Sequence, residues 1–296
     1  MTVNLLQNIA HQLQEYDMSP QEAQAESKII LSHYLRLPYN QVFLQQKKPT
    51  EEEISSINRA VERRKTGEPL GYILQKWHFY GEDFEINNEC LIPRLDSEIL
   101  AEKAIENARN RLLNDECNEY HVLDICCGSG CLGVVAVKEI CQKFPYILAS
   151  LTMVDISQKA LEIAKKNAEF ILGNSVKITT KICDILKTNN LENLVKSADL
   201  ILYNPPYIPT KDIENLEAQV KNFEPKIALD GGQNGLVFYE KIAHILMSNM
   251  KKNAVFACEF GINQSESVKS IFHNFANLKI HQDLCNIPRC AIFINN

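Results

Sequence analysis

Ala198-Asp199-Leu200-Ile201-Leu202-Tyr203-Asn204-Pro205-Pro206-Tyr207-Ile208-Pro209 is an apolar run that empties into a polar turn stiffened by proline. The four residues Leu200 to Tyr203 suit a strand buried on both faces, and open α/β sheets keep their chemistry outside the carboxyl ends of such strands. Asn204 is therefore a candidate reactive-site residue. Pro205 and Pro206 fix φ near −65° and remove two backbone donors, so carbonyl oxygens at this turn can face outward without local amide partners. The Asn204 side chain adds one acceptor and two donors. The cluster fits a planar group bearing N–H donors, a carboxamide or the exocyclic amine of a base, with Tyr207 packed on its face. An ordinary Asn-Pro turn or a short polyproline ligand is the competing reading of the tetrapeptide alone.

Upstream, His121 to Ile125 reads as a second buried strand running into Cys126, Cys127, Gly128, Ser129 and Gly130, with a helical pattern from Cys131. Glycines at a strand-to-helix turn let the backbone approach a ligand and point helix N-terminal amides at it. Of a G-x-G-x-x-G fingerprint, only Gly128 and Gly130 are counted here. The next strand, Leu151 to Val154, ends in Asp155, about 30 residues after the turn, the βαβ distance at which a carboxylate accepts ribose hydroxyls. The competing role for Asp155 is to stabilise the helix that Ser157 begins.

With these residues in view the chain resembles the class I methyltransferases that use S-adenosylmethionine, and among them the HemK-type protein-(glutamine-N5) methyltransferases acting on peptide chain release factors. The resemblance runs from about Arg63 to the C-terminus. Beyond the Asn204 turn it is carried by Gly67-Glu68-Pro69-Leu70 with Tyr72 and Ile73, by Phe79-Tyr80-Gly81, and by Leu91-Ile92-Pro93-Arg94 with Asp96-Ser97-Glu98. Glu224-Pro225 and Ala228-Leu229-Asp230-Gly231-Gly232 complete it. It implies a Rossmann-like α/β methyltransferase domain, S-adenosylmethionine held by Cys126, Cys127, Gly128, Ser129, Gly130, Asp155, Asp184, Ile185 and Asn204, and a substrate amide held by Asn204, Pro205, Pro206 and Tyr207. It places Asp184 near the adenine amine, although a strand-end carboxylate in water is an equal reading, and it places Arg94 and Glu98 near the cofactor. Where the family usually opens the turn with glycine, this chain has Cys126; if that position needs φ > 0, cysteine is strained there by about 1 kcal/mol or more. Nothing supplies Cys126 with a base, so it is not read as a nucleophile.

Composition narrows the alternatives. A formal charge of −6 argues against affinity built mainly on phosphate neutralisation. Ten cysteines occur without a C-x-x-C pair, and neither they nor the histidines show zinc-ligand spacing, so reduced thiols and no metal are expected. No basic leader and no long apolar span is read, so a cytoplasmic protein without membrane partners is expected.

Residues 1–75 read as a small helical bundle. Leu6, Ile9, Leu13 and Tyr16 recur at helical spacing; Ser19-Pro20 with Glu22, and Thr50 with Glu53, form capping boxes; Ile29, Ile30, Tyr34 and Leu35, then Ile54, Ile57 and Val61, give further apolar stripes. The charges of this unit nearly cancel, unlike those of a nucleic-acid recognition domain. The resemblance gives it a role in docking the protein substrate. Residues 76–95 read as a linking β-hairpin, with Phe84 and Ile86 before a turn at Asn87-Asn88 and Cys90 to Ile92 after it. Residues 96–296 then alternate strands and helices and close on an antiparallel pair, Lys279 to Asp283 and Arg289 to Ile294.

An amide nitrogen is a poor nucleophile because its lone pair is delocalised, so acceptors at Asn204 and the Pro205 carbonyl are expected to act by positioning, with Tyr207 beside them. The resemblance implies the glutamine of the Gly-Gly-Gln loop of class I release factors as the substrate, and a monomer with no direct nucleic-acid partner is expected. Methylation of a ribosomal-protein glutamine, of an adenine amine, or a non-catalytic cofactor-binding module are the alternatives. Asp96 and Glu98 after Arg94 look more like the release-factor branch.

Overall fold

The computed structural model describes residues 2–16, 18–42, 44, 47–114, 117–187 and 191–295. The chain forms two units, Met1–Lys76 with Glu217–Phe223, and Trp77–Leu216 with Glu224–Asn296.

In the first unit, α1 (Thr2–Gln14), α2 (Pro20–Leu35), α3 (Glu51–Lys65) and α4 (Leu70–Leu74) are joined by a one-turn helix, Ala218–Phe223, which is α9 in chain order. Both capping boxes form: Ser19 and Thr50 each accept from the backbone amide three residues on, and Glu22 and Glu53 return the bond. Leu6, Ile9 and Leu13 bury against Ile30, Leu31 and Leu35 and against Ile57 and Val61. Tyr16 stays exposed, and Ile29 and Ile54 stay partly exposed. Tyr16 lies beyond the end of α1, where the Lys65 ammonium sits 5.1 Å over its ring. Ile29 is one residue, roughly 100° of helix, from Ile30, and only one of the two can face the core.

The second unit opens with a two-stranded sheet, β1 (Lys76–Phe79) and β2 (Glu82–Glu85). The turn is at Tyr80-Gly81, both at positive φ (49° and 82°), as a two-residue hairpin turn that follows the strand twist demands. The expected turn at Asn87-Asn88 is not a hairpin. The Asn87 side chain instead accepts from the Glu89 amide at 2.9 Å, folding the backbone onto itself, and Cys90 to Ile92 form no strand.

After it come α5 (Ser97–Asn114), β3 (Glu119–Ile125), α6 (Cys131–Lys143), β4 (Leu148–Asp155), α7 (Gln158–Leu172), β5 (Lys177–Ile182), α8 (Glu192–Ser197) and β6 (Leu200–Tyr203). Then follow α10 (Val237–Asn249), β7 (Val255–Glu259), α11 (Ser265–Ile271), β8 (Lys279–Gln282) and β9 (Pro288–Ile294). The seven-stranded sheet has the order β5-β4-β3-β6-β7-β9-β8; only β9 runs antiparallel, against both of its neighbours. All four side chains of β6 are buried, as the continuous apolar run requires of a central strand.

From β3 the chain builds outward through β4 to β5, then returns to β6 on the other side of β3. That reversal opens a crevice at the strand ends, where open α/β sheets bind ligands. Register makes the placement concrete: Ile125 pairs with both Val154 and Tyr203, and Asp155 pairs with Ile182. Cys126, Asp155, Cys183 and Asn204 therefore leave four neighbouring strands at about one level. Among the described residues no helix is long and apolar enough to cross a membrane.

Candidate active site

A cavity of about 540 Å³ occupies that crevice, a size within the ~300–1,000 Å³ usual for small-molecule sites. Cys126, Cys127, Gly128, Ser129, Asp155, Asp184, Ile185, Asn204 and Pro206 all line it. Three of the expected residues do not. Gly130 lies behind the loop, Pro205 is buried, and Tyr207 turns its hydroxyl onto Glu259 Oε1 at 3.1 Å.

The glycine loop is shaped by φ. Gly128 is at +53° and Gly130 at +78°. A Cβ on Gly128 would meet nothing within 4 Å, so backbone at this point is bare toward the cavity. On Gly130 it would lie 2.9 Å from Met153 Sδ and 3.0 Å from Ala164 Cβ, so this glycine serves close packing of the loop on β4 and α7. Cys126 stands at φ 60°, the left-handed conformation that glycine adopts without cost. Burial, reinforced by the Asp155 and Asp124 carboxylates, pushes the Cys126 thiol well above its ordinary range, which keeps it protonated.

Gly133 corrects the sequence reading. Gly128-Ser129-Gly130-Cys131-Leu132-Gly133 is a complete G-x-G-x-x-G, not a partial one. A Cβ on Gly133 would come within 2.8 Å of Leu151 Cδ1 and 2.9 Å of Asp124 Cβ, which is the close helix-on-strand packing expected of the third glycine. The spacing alone carried this signal.

Asp155 reaches back to the loop. Its Oδ2 accepts from Gly128 N–H and its Oδ1 from Ser157 N–H, both at 2.9 Å. A carboxylate has about four lone-pair positions, and with the Ile156 amide also bonded to it Asp155 keeps acceptor capacity for a ribose hydroxyl while the backbone holds the group in place. Burial raises the Asp155 pKa, and those backbone bonds oppose the rise. Asp184 is held differently: Lys187 Nζ at 2.9 Å, with help from the Leu186 amide, keeps its carboxyl below the usual range and therefore ionised.

Arg94 also lines the cavity and pairs with Glu224 Oε1 at 2.7 Å. Glu224 is buried, and its Oε2 has no partner among the described residues; burial raises its pKa against the pull of Arg94. Glu98 does not reach the cavity: its Oε1 accepts from Tyr80 N–H at 2.8 Å and ties α5 to the hairpin turn. Ser97 does line it, with its Oγ 3.4 Å from Asn204 Nδ2. Ser97, Glu224 and Glu259 had no part in the expected site. None of the ten cysteines is in a disulfide, and among the described residues no group of three or more His, Cys, Asp or Glu side chains could hold a metal.

The geometry can be set beside known proteins. The family described as "Methyltransferase small domain" matches residues 96–259, and the "PrmC N-terminal domain" matches residues 4–74. A release factor glutamine methyltransferase of Koribacter versatilis is 32% identical over 243 residues, covering 82% of this chain and 80% of the relative. One from Thermodesulfovibrio yellowstonii is 30% identical over 269 residues, covering 90% and 91%. Among solved structures, the hMettl16 catalytic domain in complex with the MAT2A 3'UTR hairpin 1 aligns with a TM-score of 0.52 at 14% identity, over 82% of this chain and 80% of that one, a likeness of fold alone. The chain belongs to the family of release factor glutamine methyltransferases.

Proposed function

We propose that this chain transfers a methyl group from S-adenosylmethionine to the side-chain amide nitrogen (N5) of the glutamine in the Gly-Gly-Gln loop of class I peptide chain release factors, as a monomer in the cytoplasm. The observation that carries the reading is that Asn204 and the Gly128 loop, at the ends of the paired strands β6 and β3, line one cavity. Residues 1–75 are the part that docks the protein substrate, 76–95 the linker and 96–296 the catalytic domain.

The cavity fits the cofactor. Gly128 leaves bare backbone where a side chain would stand, and Asp155 is fixed with acceptor capacity to spare for a ribose hydroxyl. Asp184 and Ile185 extend the same wall toward the adenine. When bound, S-adenosylmethionine supplies a methyl group on a sulfonium centre, already a strong electrophile.

The protein's task is then to present the amide. Asn204 Oδ1, which lines the cavity, accepts an N–H bond of the amide and turns the nitrogen lone pair toward the incoming carbon at a near-attack separation of about 3–3.5 Å. Positive charge grows on the nitrogen as the N–C bond forms and the methyl–sulfur bond breaks, which leaves S-adenosylhomocysteine; the Asn204 acceptor stabilises that charge, an effect of ~3 kcal/mol for one well-placed group, and one N–H proton then passes to solvent. Pro206 shapes the wall, and Tyr207 is held by Glu259 beside the turn. The chain's net charge of −6 favours a protein substrate over an adenine in nucleic acid.

Asn204→Ala tests this directly. Cofactor affinity by calorimetry should stay within about threefold while methyl transfer falls by ~10²-fold or more. Turnover near the wild-type rate would make the turn a structural feature only.

A further inference from the structure

Behind Asn204 stands a buried acid that methyl transfer does not use. Glu259 ends β7, is 2% exposed, and holds its carboxylate with two hydroxyls: Ser97 Oγ donates to Oε2 at 2.5 Å and the Tyr207 phenol to Oε1 at 3.1 Å. Ser97 is equally buried, and its Oγ faces Asn204 Nδ2 at 3.4 Å. The four side chains form one line: Asn204, Ser97, Glu259, Tyr207.

A serine hydroxyl has one proton and two lone pairs, and an ionised carboxylate only accepts. While Glu259 is ionised, Ser97 therefore spends its proton on it and shows Asn204 nothing but lone pairs. The Asn204 amide can meet those only with Nδ2. Its carbonyl end, to which no protein donor is bonded among the described residues, is left for the cavity that Asn204 lines.

Resting on the reading that this cavity takes a carboxamide, we infer that Ser97, anchored by Glu259, is a positioning residue that fixes the Asn204 side chain with its acceptor end toward the substrate. It selects for a group that brings N–H bonds, and against one that brings only acceptors.

The direction of this line depends on the charge of Glu259. Asp96 faces it from the turn before α5, Ser97 from the first residue of α5, Tyr207 from the loop after β6, Tyr239 from α10, Cys258 from its own strand, and Arg289 and Cys290 from β9. Tyr239 is occupied with the Glu259 backbone carbonyl at 2.7 Å. Burial raises the carboxyl above 4.5, while Ser97, Tyr207 and Arg289 oppose the rise. Once protonated, Glu259 can donate to Ser97; Ser97 can then donate to Asn204 and draw its carbonyl end away from the substrate.

Two measurements test this. In the protein without substrate, the Asn204 side-chain ¹⁵NH₂ signals, assigned by their loss in Asn204→Asp, should shift as pH falls, with a midpoint above 4.5. The same step should be absent in Ser97→Ala and in Glu259→Gln. In turnover, Ser97→Ala should lower kcat by tenfold or more, with cofactor Kd and release-factor KM within threefold, and should lose the acidic limb of the wild-type kcat profile. A pH-insensitive Asn204 signal in the wild type, a step surviving in Ser97→Ala, or an unchanged kcat would overturn the inference. Because the spectroscopic step needs no substrate, it stands or falls apart from the release-factor assignment, which fails if wild-type enzyme leaves the factor unlabelled.

Discussion

The Gly128 amide donates to Asp155 Oδ2 at 2.9 Å, so the end of β4 holds the loop that follows β3. One carboxylate thus fixes the bare backbone at Gly128 and keeps acceptor capacity for a ligand. Charge-assisted hydrogen bonds of this kind contribute about 1.5–3 kcal/mol each. Asp155→Ala should weaken S-adenosylmethionine binding by tenfold or more in a calorimetric titration; unchanged affinity would take Asp155 out of the site.

The glycines of the loop separate by cause. Gly133→Ala forces a methyl to within 2.8 Å of Leu151 and 2.9 Å of Asp124, an overpacking that should cost about 1–3 kcal/mol in denaturant unfolding. Gly128→Ala meets open space and should lose only about 1 kcal/mol of backbone conformation, while cofactor affinity drops because the methyl enters the cavity. Equal stability losses in the two variants would contradict this division.

Cys126 holds a glycine-like φ of 60° with a side chain attached. Cys126→Gly and Cys126→Ala both delete the thiol, and only glycine relieves the backbone. Left-handed backbone costs an L-residue about 1–2 kcal/mol, and the greater freedom of glycine in the unfolded chain returns about 0.5–1. The glycine variant should therefore exceed the alanine variant in unfolding free energy by up to about 1.5 kcal/mol. A more stable alanine variant would show that the loop bears no strain.

Asp124 gives the fold a pH dependence. Gly133 N–H reaches its Oδ2 at 2.9 Å, its Oδ1 has no partner among the described residues, and burial pushes its pKa from 3.8 to about 7. Between those values the folded state holds a proton that the unfolded chain has released, so this group's contribution to stability declines as pH rises through the window and levels off above about 7. Measured without cofactor, wild type should lose stability relative to Asp124→Asn between pH 5 and 7.5. Parallel stability curves would show that Asp124 does not titrate there.

Much of this was legible locally. Leu200 to Tyr203 is apolar at every position because β6 is covered on both faces, and Asn204 follows from where that strand stops. The capping boxes at Ser19 and Thr50 announce their helices because both partners lie within one turn. The hairpin was misplaced because an alternating pattern does not say where the chain reverses; Tyr80 takes a left-handed conformation that its residue type does not advertise, while Asn87-Asn88 spends its turn chemistry on Glu89. Ser97 and Glu259 are 162 residues apart, and Ser97 and Asn204 107 apart. Each is an ordinary helix-start or strand-end residue until the sheet order brings β6 and β7 together beside α5. Arg94 and Glu224 meet across 130 residues in the same way.

The most direct test is to incubate the purified protein and isotopically labelled S-adenosylmethionine with a class I release factor, its Gly-Gly-Gln glutamine-to-alanine variant, ribosomal protein and DNA, then map label by peptide mass spectrometry and scintillation counting. Label should appear on the glutamine side chain of the intact factor and be lost in the alanine variant. Label in DNA or ribosomal protein instead, or persisting in the alanine variant, would contradict the assignment.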